Sequence, residues 1–444
     1  MIADLGIRKS SKQRIVIIGG GFAGLKLSKK LSKKKYQVVL LDRNNYHTFQ
    51  PLLYQVAMGG LEPDSIAHPF RRSIRGASLF FRMVNVLRIN PEEHSLTTSE
   101  GNLKFDQLII ASGSKSNYFG NDKIEKNAFS LKSIPGALDI RSWIFQNLEL
   151  AVLQRKSEVM INIVIVGGGP TGVEIAGALS DLKNNVLPRD YPELSFSHFK
   201  IFIIEGSKRI LNAMSDDASV HSRKYLEKMG VEIKTDHLVK DFDGARVVLN
   251  TGEMIPTNIL IWSAGVTGNA VDGISESVNY KNLRYKVDRY NRILGHENIY
   301  AVGDVASMED PFGKDHPLLA PVAIQQANNL ARNLNITNAR PWKKFSYKDK
   351  GVLATVGRNK ALADFGRFHI HGFFAWIIWV FVHLMTLVGF RNRLIVFVNW
   401  LISYISFESA IRLIIRPVKI KPIVVNNTSL NETSLSTKPI LTTK

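Results

Sequence analysis

The sequence predicts an α/β fold built from two doubly wound domains followed by a C-terminal helical region. A β-branched run leads into a glycine-rich turn and a helix at Arg14–Gly24, and the same pattern returns at Asn162–Gly172. Strand–turn–helix units that repeat in this way indicate parallel sheets with helices on both faces. A third observation is the stretch Gly372–Phe390, which carries no formal charge when His383 is neutral. It predicts helices in contact with an apolar environment.

Each repeated unit divides into a strand, a helix and a second strand that ends in an acid. The expected elements are a strand at Arg14–Gly19, a helix from Phe22 to about Lys34 and a strand at Tyr36–Leu41, then a strand at Asn162–Gly167, a helix from Gly172 to about Leu182 and a strand at Lys200–Ile204. Asn184–Ser197 should form an extended helix and loop. The later strands Gln107–Ala111 and Asn298–Val302 end in small residues, so a ligand can approach their carboxyl ends.

Composition narrows the classes of function. The 444 residues include 45% hydrophobic and 22% charged residues, which is typical of an ordered globular protein. The formal net charge of +20 favours an acidic partner, such as nucleic acid, an anionic membrane or an acidic protein. The absence of cysteine excludes disulfides, cysteine-ligated metal centres and thiol catalysis, and we assign no metal ligand to the active site.

The first glycine-rich turn has the pattern Gly-x-Gly-x-x-Gly, formed by Gly19, Gly21 and Gly24. Gly19 permits the tight turn, Gly21 lets the backbone approach a pyrophosphate, and Gly24 lets helix and strand pack closely. The pyrophosphate can then bind the free N–H groups at the helix N-terminus. Asp42 lies 18 residues after Gly24, where a carboxylate can accept hydrogen bonds from a ribose.

The second turn repeats this pattern with Gly167, Gly169 and Gly172, and its acid is Glu205. A carboxylate there favours a free ribose 2′-hydroxyl and repels a 2′-phosphate, which favours NADH over NADPH. The basic pair Lys208–Arg209 weakens this preference. Two dinucleotide sites in one chain suggest one flavin and one nicotinamide, with hydride moving from the nicotinamide to the flavin.

The order of motifs resembles one family. The segments GGGFAG, LDRNNYHTFQPLLYQVAMGGLEP, IIASGS, IVGGGPTGVEIAG, IWSAGV, YAVGDVA, APVAIQQ and GRNKALADF resemble the type II (alternative, non-proton-pumping) NADH:quinone oxidoreductases, and GFFAWIIWVFVHLMTLVGFRNRL also fits. The resemblance covers roughly residues 12–416. It implies FAD in the first domain, NADH in the second, a lipid quinone as electron acceptor and attachment to the membrane by C-terminal helices.

The predicted domain organisation follows from the repeat and the resemblance. We expect the FAD-binding domain at 10–115 and 285–345, the NADH-binding domain inserted at 116–284, a membrane-anchoring region at 346–416 and a disordered tail at 417–444. The tail is rich in Ser, Thr, Asn and Lys and has little apolar surface to bury.

The resemblance also assigns residues to the cofactors. Besides the two turns and their acids, it implies FAD contacts at Ser112, Gly113, Gly303 and Asp304, and NADH contacts at Ala264 and Gly265. Glu174 would act in catalysis at the junction of flavin and nicotinamide, by supporting hydride transfer or proton movement. The alternative for Glu174 is an electrostatic cap in the first turn of its helix.

Quinone contacts are implied for Gln50, Leu53, Tyr54, Pro321, Gln325 and His383. Gln325 and His383 are also catalytic candidates, and the alternative for Gln325 is an ordinary polar residue of its helix. Pro321 stands where the family has a glutamine and offers no side-chain donor. Gln325 or backbone groups would therefore have to provide the hydrogen bonds to the quinone. His383 is either an interfacial histidine with satisfied hydrogen bonds or a polar group that lines the quinone tunnel.

The C-terminal region is expected to lie on the membrane surface. A helix of 19 residues would be about 28 Å long, close to the thickness of the hydrocarbon core, but arginines flank the apolar run on both sides. A helical stripe is formed by Trp400, Tyr404, Phe407, Ile411 and Ile414, and Arg412 and Arg416 would face anionic lipid. A two-helix hairpin and a buried core segment are the alternatives.

We therefore expect a peripheral membrane enzyme on the cytoplasmic face that contains FAD, oxidises NADH and reduces a quinone. Its partners would be the quinone and membrane lipid, without nucleic acid. The sequence leaves undecided whether the enzyme is a homodimer. One alternative is a soluble FAD-dependent NADH reductase of an electron-carrier protein. The other is a non-enzymatic flavin- and NAD-bound protein whose basic surface binds nucleic acid.

Overall fold

The structure is a computed structural model that describes residues 3–155, 160–274, 280–336, 340–406 and 411–418. It confirms the predicted α/β fold, with two five-stranded parallel sheets and a C-terminal unit of strands and helices. The predicted disordered tail lies outside the described residues from position 419 onward.

The elements are numbered in chain order. The α-helices of the described residues are α1 (Phe22–Lys30), α2 (Leu53–Ala57), α3 (Phe70–Ser73), α4 (Asp122–Asn127), α5 (Ile134–Leu153), α6 (Pro170–Asp181), α7 (Leu187–Asp190), α8 (Asp216–Lys228), α9 (Ala320–Asn335), α10 (Phe373–Thr386) and α11 (Phe390–Ser406). The strands are β1 (Gln13–Ile18), β2 (Tyr36–Asp42), β3 (Tyr46–Thr48), β4 (Ala67–Pro69), β5 (Leu79–Met83), β6 (Val86–Asn90), β7 (Ser95–Thr98), β8 (Asn102–Lys104), β9 (Gln107–Ile110), β10 (Ser114–Ser116), β11 (Phe129–Ser130), β12 (Ile161–Val166), β13 (Phe199–Ile204), β14 (Val231–Lys234), β15 (Val239–Phe242), β16 (Arg246–Leu249), β17 (Met254–Pro256), β18 (Ile259–Trp262), β19 (Val266–Gly268), β20 (Tyr280–Lys281), β21 (Arg284–Lys286), β22 (Ile299–Ala301), β23 (Ala306–Ser307), β24 (Val352–Thr355), β25 (Ala361–Phe365) and β26 (Phe368–Gly372).

The first sheet has the strand order β22–β9–β1–β2–β5, and all its strands are parallel. Its inner strands are almost completely buried, as expected where helices cover both faces of a parallel sheet. Strand β22 pairs with β9, so the chain returns to this sheet after it has built the second one. The exact domain bounds given above stay predictions.

The second sheet has the order β11–β18–β12–β13–β14 and is also parallel. In both sheets the strand before the glycine-rich turn lies between the strand that ends in the acid and a strand that ends in small residues. Each turn therefore opens at the carboxyl end of its sheet, where ligands of doubly wound folds bind.

Two helix bounds differ from the prediction. Helix α1 ends at Lys30 instead of about Lys34, because Leu31 adopts an extended backbone and turns its buried side chain into the core. Helix α6 begins at Pro170 instead of Gly172, since a proline suits the first turn of a helix. A π-helical turn at Leu182–Val186 and helix α7 follow it, which lengthens the connection to β13.

The C-terminal unit begins with the antiparallel sheet β24–β25–β26, and β26 leads directly into α10. The apolar run does not form one helix, since Leu387 leaves the helix and Gly389 has a φ of +94°. The prediction that helix continues to Ile414 is wrong: α11 ends at Ser406, and Ile411 and Ile414 lie in a non-helical segment. Phe407 lies outside the described residues.

The final described segment, 411–418, returns to the body of the protein. Ile411 donates its backbone N–H to the carbonyl of Gly59 at 2.6 Å. Arg412 forms an ion pair with Asp190, and Arg416 pairs with Asp139 at 2.9 Å. Both arginines are exposed and each is paired with a carboxylate of this chain, and their contact with lipid stays a prediction.

Candidate active site

The first glycine-rich turn has the close backbone approach that its glycines predict. A Cβ on Gly19 would lie 2.4 Å from the carbonyl oxygen of Ala111, and a Cβ on Gly24 would lie 1.8 Å from that of Gly19. A Cβ on Gly21 would meet nothing within 4 Å. Packing explains two of the glycines, whereas Gly21 borders open space at the N-terminus of α1. This space fits a dinucleotide pyrophosphate.

Asp42 lies at the end of β2 and faces this turn. Its carboxylate accepts hydrogen bonds from the backbone N–H of Gly20 at 2.7 Å and of Asn44 at 2.8 Å. Burial raises the pKa of Asp42, and these two hydrogen bonds oppose the shift. His47 holds the other side of the turn through a 2.9 Å hydrogen bond between Nδ1 and the carbonyl oxygen of Gly20. The acid that could bind a ribose is thus fixed in place by the turn itself.

Gly303 and Asp304 follow β22 and lie beside the predicted flavin site. Ser114 donates to the Asp304 carboxylate at 2.7 Å, and Lys132 lies 3.3 Å from the Ser114 hydroxyl. Burial lowers the pKa of Lys132, while Asp304 partly restores it. Ser112 and Gly113 follow β9, and the Ser112 hydroxyl donates to the carbonyl of Asn269 at 2.6 Å.

The second turn repeats the geometry of the first. A Cβ on Gly172 would lie 1.9 Å from the carbonyl oxygen of Gly167, and a Cβ on Gly167 would lie 2.9 Å from Cα of Ala264. A Cβ on Gly169 would again meet nothing within 4 Å. Ala264 and Gly265 follow β18, so the predicted NADH residues of the two strands lie at one edge of the sheet.

Glu205 occupies the position in the second sheet that Asp42 has in the first. Its carboxylate accepts from the N–H of Gly168 at 2.6 Å and from the N–H of Ser207 at 2.7 Å. Each oxygen accepts one backbone hydrogen bond and keeps a further lone pair. Glu205 can therefore still accept a hydrogen bond from a ribose hydroxyl.

A cavity of about 180 Å³ lies between α6 and the C-terminal helices. Its walls are formed by Tyr54 and Gln55 of α2, Glu174 and Asp181 of α6, Thr355 of β24, and Trp376, Trp379 and Trp400 of α10 and α11, among others. It therefore joins the second nucleotide-binding unit to the C-terminal unit. A cavity of about 150 Å³ can hold one benzene ring, so this cavity has room for a single six-membered ring.

Glu174 faces this cavity and lies beyond the first turn of α6, which does not fit the electrostatic cap given as its alternative. Burial raises its pKa to about 8, and a hydrogen bond from the backbone N–H of Thr355 opposes this rise. The carboxyl group thus holds a proton at pH 7. A neutral acid in a largely apolar cavity can donate a proton to a bound ligand.

A chain of hydrogen bonds connects the cavity wall to α11. The Trp400 indole N–H donates to Gln55 at 2.8 Å, and the Gln55 amide donates to the Tyr54 hydroxyl at 3.0 Å. That hydroxyl lies 3.0 Å from the hydroxyl of Thr355. Burial raises the pKa of Tyr54, and the charge of Glu174 adds to the shift. Tyr54 therefore stays a neutral donor.

The predicted quinone residues do not all meet at this cavity. Tyr54 lines it, whereas the Leu53 side chain lies in the core and Gln50 is exposed to solvent. Pro321 occupies the first turn of α9, where its missing N–H costs no hydrogen bond.

Gln325 is turned toward the surface segment 343–348. Its amide donates to the carbonyl of Lys348 at 2.9 Å and its oxygen accepts from the N–H of Lys348 at 3.0 Å. Both polar ends are occupied, so the structure gives no support to a catalytic or quinone contact. The neighbouring Gln326 instead accepts from the N–H of Gly303 at 2.7 Å and is buried.

His383 lies beside the cavity without lining it. Its ring stacks on Trp379 with centroids 4.0 Å apart, and Nδ1 is 2.8 Å from the carbonyl oxygen of Trp379. Burial lowers its pKa to about 4, so the ring is neutral at pH 7. The ring also contacts Phe49 edge-on at 6.2 Å. This is the packing of a histidine with a satisfied hydrogen bond, and a proton-donor role has no support in these contacts.

Comparison with known proteins decides the family. A model of the pyridine nucleotide-disulphide oxidoreductases matches residues 13–327, and a model of the NDH2 C-terminal domain matches residues 350–406. The type II NADH:quinone oxidoreductase Ndh of Mycobacterium tuberculosis is 32% identical over 425 residues, which cover 89% of this chain and 89% of that protein. The chain belongs to the type II NADH:quinone oxidoreductase family.

Further relatives agree with this assignment. The type II NADH:quinone oxidoreductase of Staphylococcus aureus is 27% identical and covers 78% of this chain and 88% of that protein. A structure of NDH2 from Plasmodium falciparum in complex with NADH superposes with a TM-score of 0.83 over 90% of this chain and 100% of that chain. At 22% identity the latter likeness shows the shared fold.

This type II oxidoreductase also contains site residues that sequence reasoning missed. His47 bonds to the first glycine-rich turn, and Gln326 bonds to Gly303. Thr355 and Asp181 line the cavity. Burial raises the pKa of Asp181 to about 6, while the Arg358 backbone and the charges of Arg358 and Lys360 lower it. No local motif identifies these residues. The sequence does show two adjacent glutamines, Gln325 and Gln326, either of which could be the site residue.

Proposed function

We propose that this chain oxidises NADH at the second glycine-rich turn and reduces a quinone whose ring occupies the cavity beside Glu174. The observation that carries the quinone site is the cavity itself, which has aromatic walls, a protonated acid and a boundary formed by the C-terminal helices. The proposed quinone site is tested by comparing the rates of NADH oxidation with a quinone and with ferricyanide as electron acceptor, because only the quinone has to enter the cavity.

The residues present fit the two nucleotide cofactors of the family. Gly21 and Gly169 each leave open space at a helix N-terminus, and Asp42 and Glu205 each keep acceptor capacity for a ribose. FAD, when bound at the first turn, supplies the two-electron chemistry that connects hydride donor and quinone. The absence of cysteine means that no thiol relay takes part.

The cavity offers hydrogen-bond donors that suit the two carbonyl oxygens of a quinone. Trp379 lines the cavity as an aromatic wall, while its indole Nε1 is sealed from solvent and has no acceptor in the described structure. Tyr54 and the protonated Glu174 are the two groups of the wall that can donate. Because reduction to a quinol takes up two protons, a neutral acid in contact with the ring is the group expected to deliver one.

Glu205 provides a test of the NADH site. Glu205→Ala should raise the KM for NADH about tenfold or more and narrow the preference over NADPH, since a hydrogen bond to a charged group is worth about 1.5–3 kcal/mol. Glu232→Ala is the matched control, because Glu232 belongs to the same sheet and pairs only with Lys200 among the ion pairs described. Equal use of NADH and NADPH by the unaltered enzyme would contradict the assignment.

We also propose peripheral attachment to an anionic membrane. No helix in the described part of the chain has the length and hydropathy to cross a bilayer. Helices α10 and α11 nevertheless expose large apolar side chains, including Phe374 at 73% and Phe381 at 64%. Such exposure does not fit a buried core segment, and it suits helices that lie in the membrane interface. Arg367 and Arg391 are exposed beside these helices.

The membrane face can be tested with Phe374→Asp combined with Phe381→Asp. Burial of each phenylalanine stabilises binding by about 1.5–3 kcal/mol, so the double variant should bind anionic vesicles at least about 100-fold more weakly. Phe312→Asp is the control, because Phe312 is 87% exposed but lies outside α10 and α11. Co-sedimentation is the measurement, and unchanged sedimentation of the double variant would contradict the proposed face.

A further inference from the structure

Asp217, His221 and His371 form a cluster of metal-ligating side chains outside the active site. The first two lie on α8, and His371 lies on β26. One ligand atom from each residue lies within 4.8 Å of those of the other two. The ligands therefore come from segments about 150 residues apart, which only the fold brings together.

The two histidine rings are stacked, so the exposed His371 ring has to turn out of the stack before both rings can direct a nitrogen at one ion. Their centroids are 3.9 Å apart and their planes differ by 16°. His221 Nδ1 lies 2.9 Å from the backbone carbonyl oxygen of Asp217 and 3.2 Å from its carboxylate oxygen Oδ1, so Nε2 is the nitrogen left for an ion, toward which the exposed Asp217 side chain has to turn. Hydrogen bonding of one ring nitrogen to a carbonyl is how metal-binding histidines are commonly oriented.

Neighbouring contacts hold the two elements in position. Asp364 of β25 accepts from the Ser215 N–H at 2.7 Å and from the Ser215 hydroxyl at 3.0 Å, at the N-cap of α8. His369 of β26 lies 2.8 Å from Asp364 through Nδ1. The hairpin that carries His371 is thus tied to the start of α8 without any metal.

The chemistry of the ligands selects the kind of ion. Two imidazoles and one carboxylate suit Zn²⁺ and related transition metals, whereas Mg²⁺ and Ca²⁺ prefer oxygen ligands alone. In a tetrahedral site with bonds of about 2.0–2.1 Å, ligand atoms lie about 3.4 Å apart. Asp217 and His371 are exposed and can rotate, so the cluster can contract to this spacing.

We propose that Asp217, His221 and His371 bind one divalent transition metal ion of the zinc type, with water completing the coordination. Because β26 leads directly into α10, the ion joins the NADH-binding unit to the first C-terminal helix. This site is separate from the cavity, whose lining includes none of the three residues.

The test is zinc titration of the tag-free, full-length flavoprotein by calorimetry, with bound metal measured after gel filtration. The unaltered protein should bind one equivalent of Zn²⁺ and melt at a higher temperature in its presence. His221→Gln and His371→Gln should each weaken binding at least about tenfold and abolish this shift. The exposed His198→Asn, in the same unit, should bind zinc like the unaltered protein.

Flavin content and the melting temperature without metal show whether each variant is folded. Absence of saturable binding by the unaltered protein would overturn the proposal. Equal zinc affinity in His221→Gln, His371→Gln and the unaltered protein would overturn it as well. Neither result bears on NADH or quinone turnover, so the proposed function stands or fails by its own tests.

Discussion

Replacing Glu174 by glutamine is expected to lower quinone reduction at pH 7 about 100-fold or more, a magnitude typical of the loss of a general acid. The carboxyl group of Glu174 has a pKa of about 8 and faces the cavity, so it carries a transferable proton that glutamine lacks. Ferricyanide accepts electrons without protons, so NADH oxidation with ferricyanide should fall much less. Steady-state rates with the two acceptors give the comparison.

The pH dependence follows from the direction of the same pKa shift. Glu174 is protonated below about pH 8, so quinone reduction should be sustained below that pH and decline above it. The Glu174→Gln variant should lack this decline. Asp181→Asn is the matched control, because Asp181 lines the same cavity but has a pKa of about 6 and is mostly ionised at pH 7. An equal loss in both variants would show that Glu174 has no special role.

Replacing Gly21 by valine should yield a folded protein without bound FAD. A Cβ at this position meets no protein atom within 4 Å, so the fold has room for the side chain. The added atoms instead fill the space that a pyrophosphate requires at the N-terminus of α1. The ratio of flavin to protein absorbance measures the loss, and circular dichroism reports the fold.

Two further glycine variants make this result specific. Gly24→Ala places a Cβ 1.8 Å from the carbonyl oxygen of Gly19, so it should reduce both stability and FAD content. Gly169→Val should retain FAD, which dithionite but not NADH would reduce, because only the second turn is blocked. A yellow Gly21→Val protein with full flavin content would refute the placement of FAD at the first turn.

The fold was accessible to sequence reasoning because its signals are local. Strand, glycine-rich turn, helix and acid follow one another within each unit, and the close approaches at Gly24 and Gly172 are contacts within the motif itself. The helix at Phe22 and the strands before Asp42 and Glu205 follow directly from such patterns. The glutamate in GPTGVE could also be singled out, since its position on α6 is fixed by the same turn.

The remaining site depends on contacts between distant segments. Adjacent residues on a helix differ by about 100° in direction, so whether Gln325 or Gln326 faces Gly303 depends on how α9 packs. Thr355 reaches Tyr54 only because β24 packs beside α6 and α2. The end of α11 was also inaccessible, because Ile411 leaves the predicted stripe to bond with Gly59, about 350 residues earlier in the sequence.

Helices α10 and α11 are secured at both ends. Strand β26 holds the start of α10, and after α11 the segment 411–418 bonds to Gly59 and, through Val418, to Gln146 at 2.8 Å. Such a pair differs from a hinged lid, since neither end is free to swing away from the body. We therefore expect the cavity wall that these helices form to keep its shape during turnover, and in the proposed membrane-bound enzyme a quinone would enter ring first with its tail in the lipid. Under this proposal, exchange of quinone for quinol would depend on diffusion within the bilayer, and turnover would be sensitive to lipid fluidity.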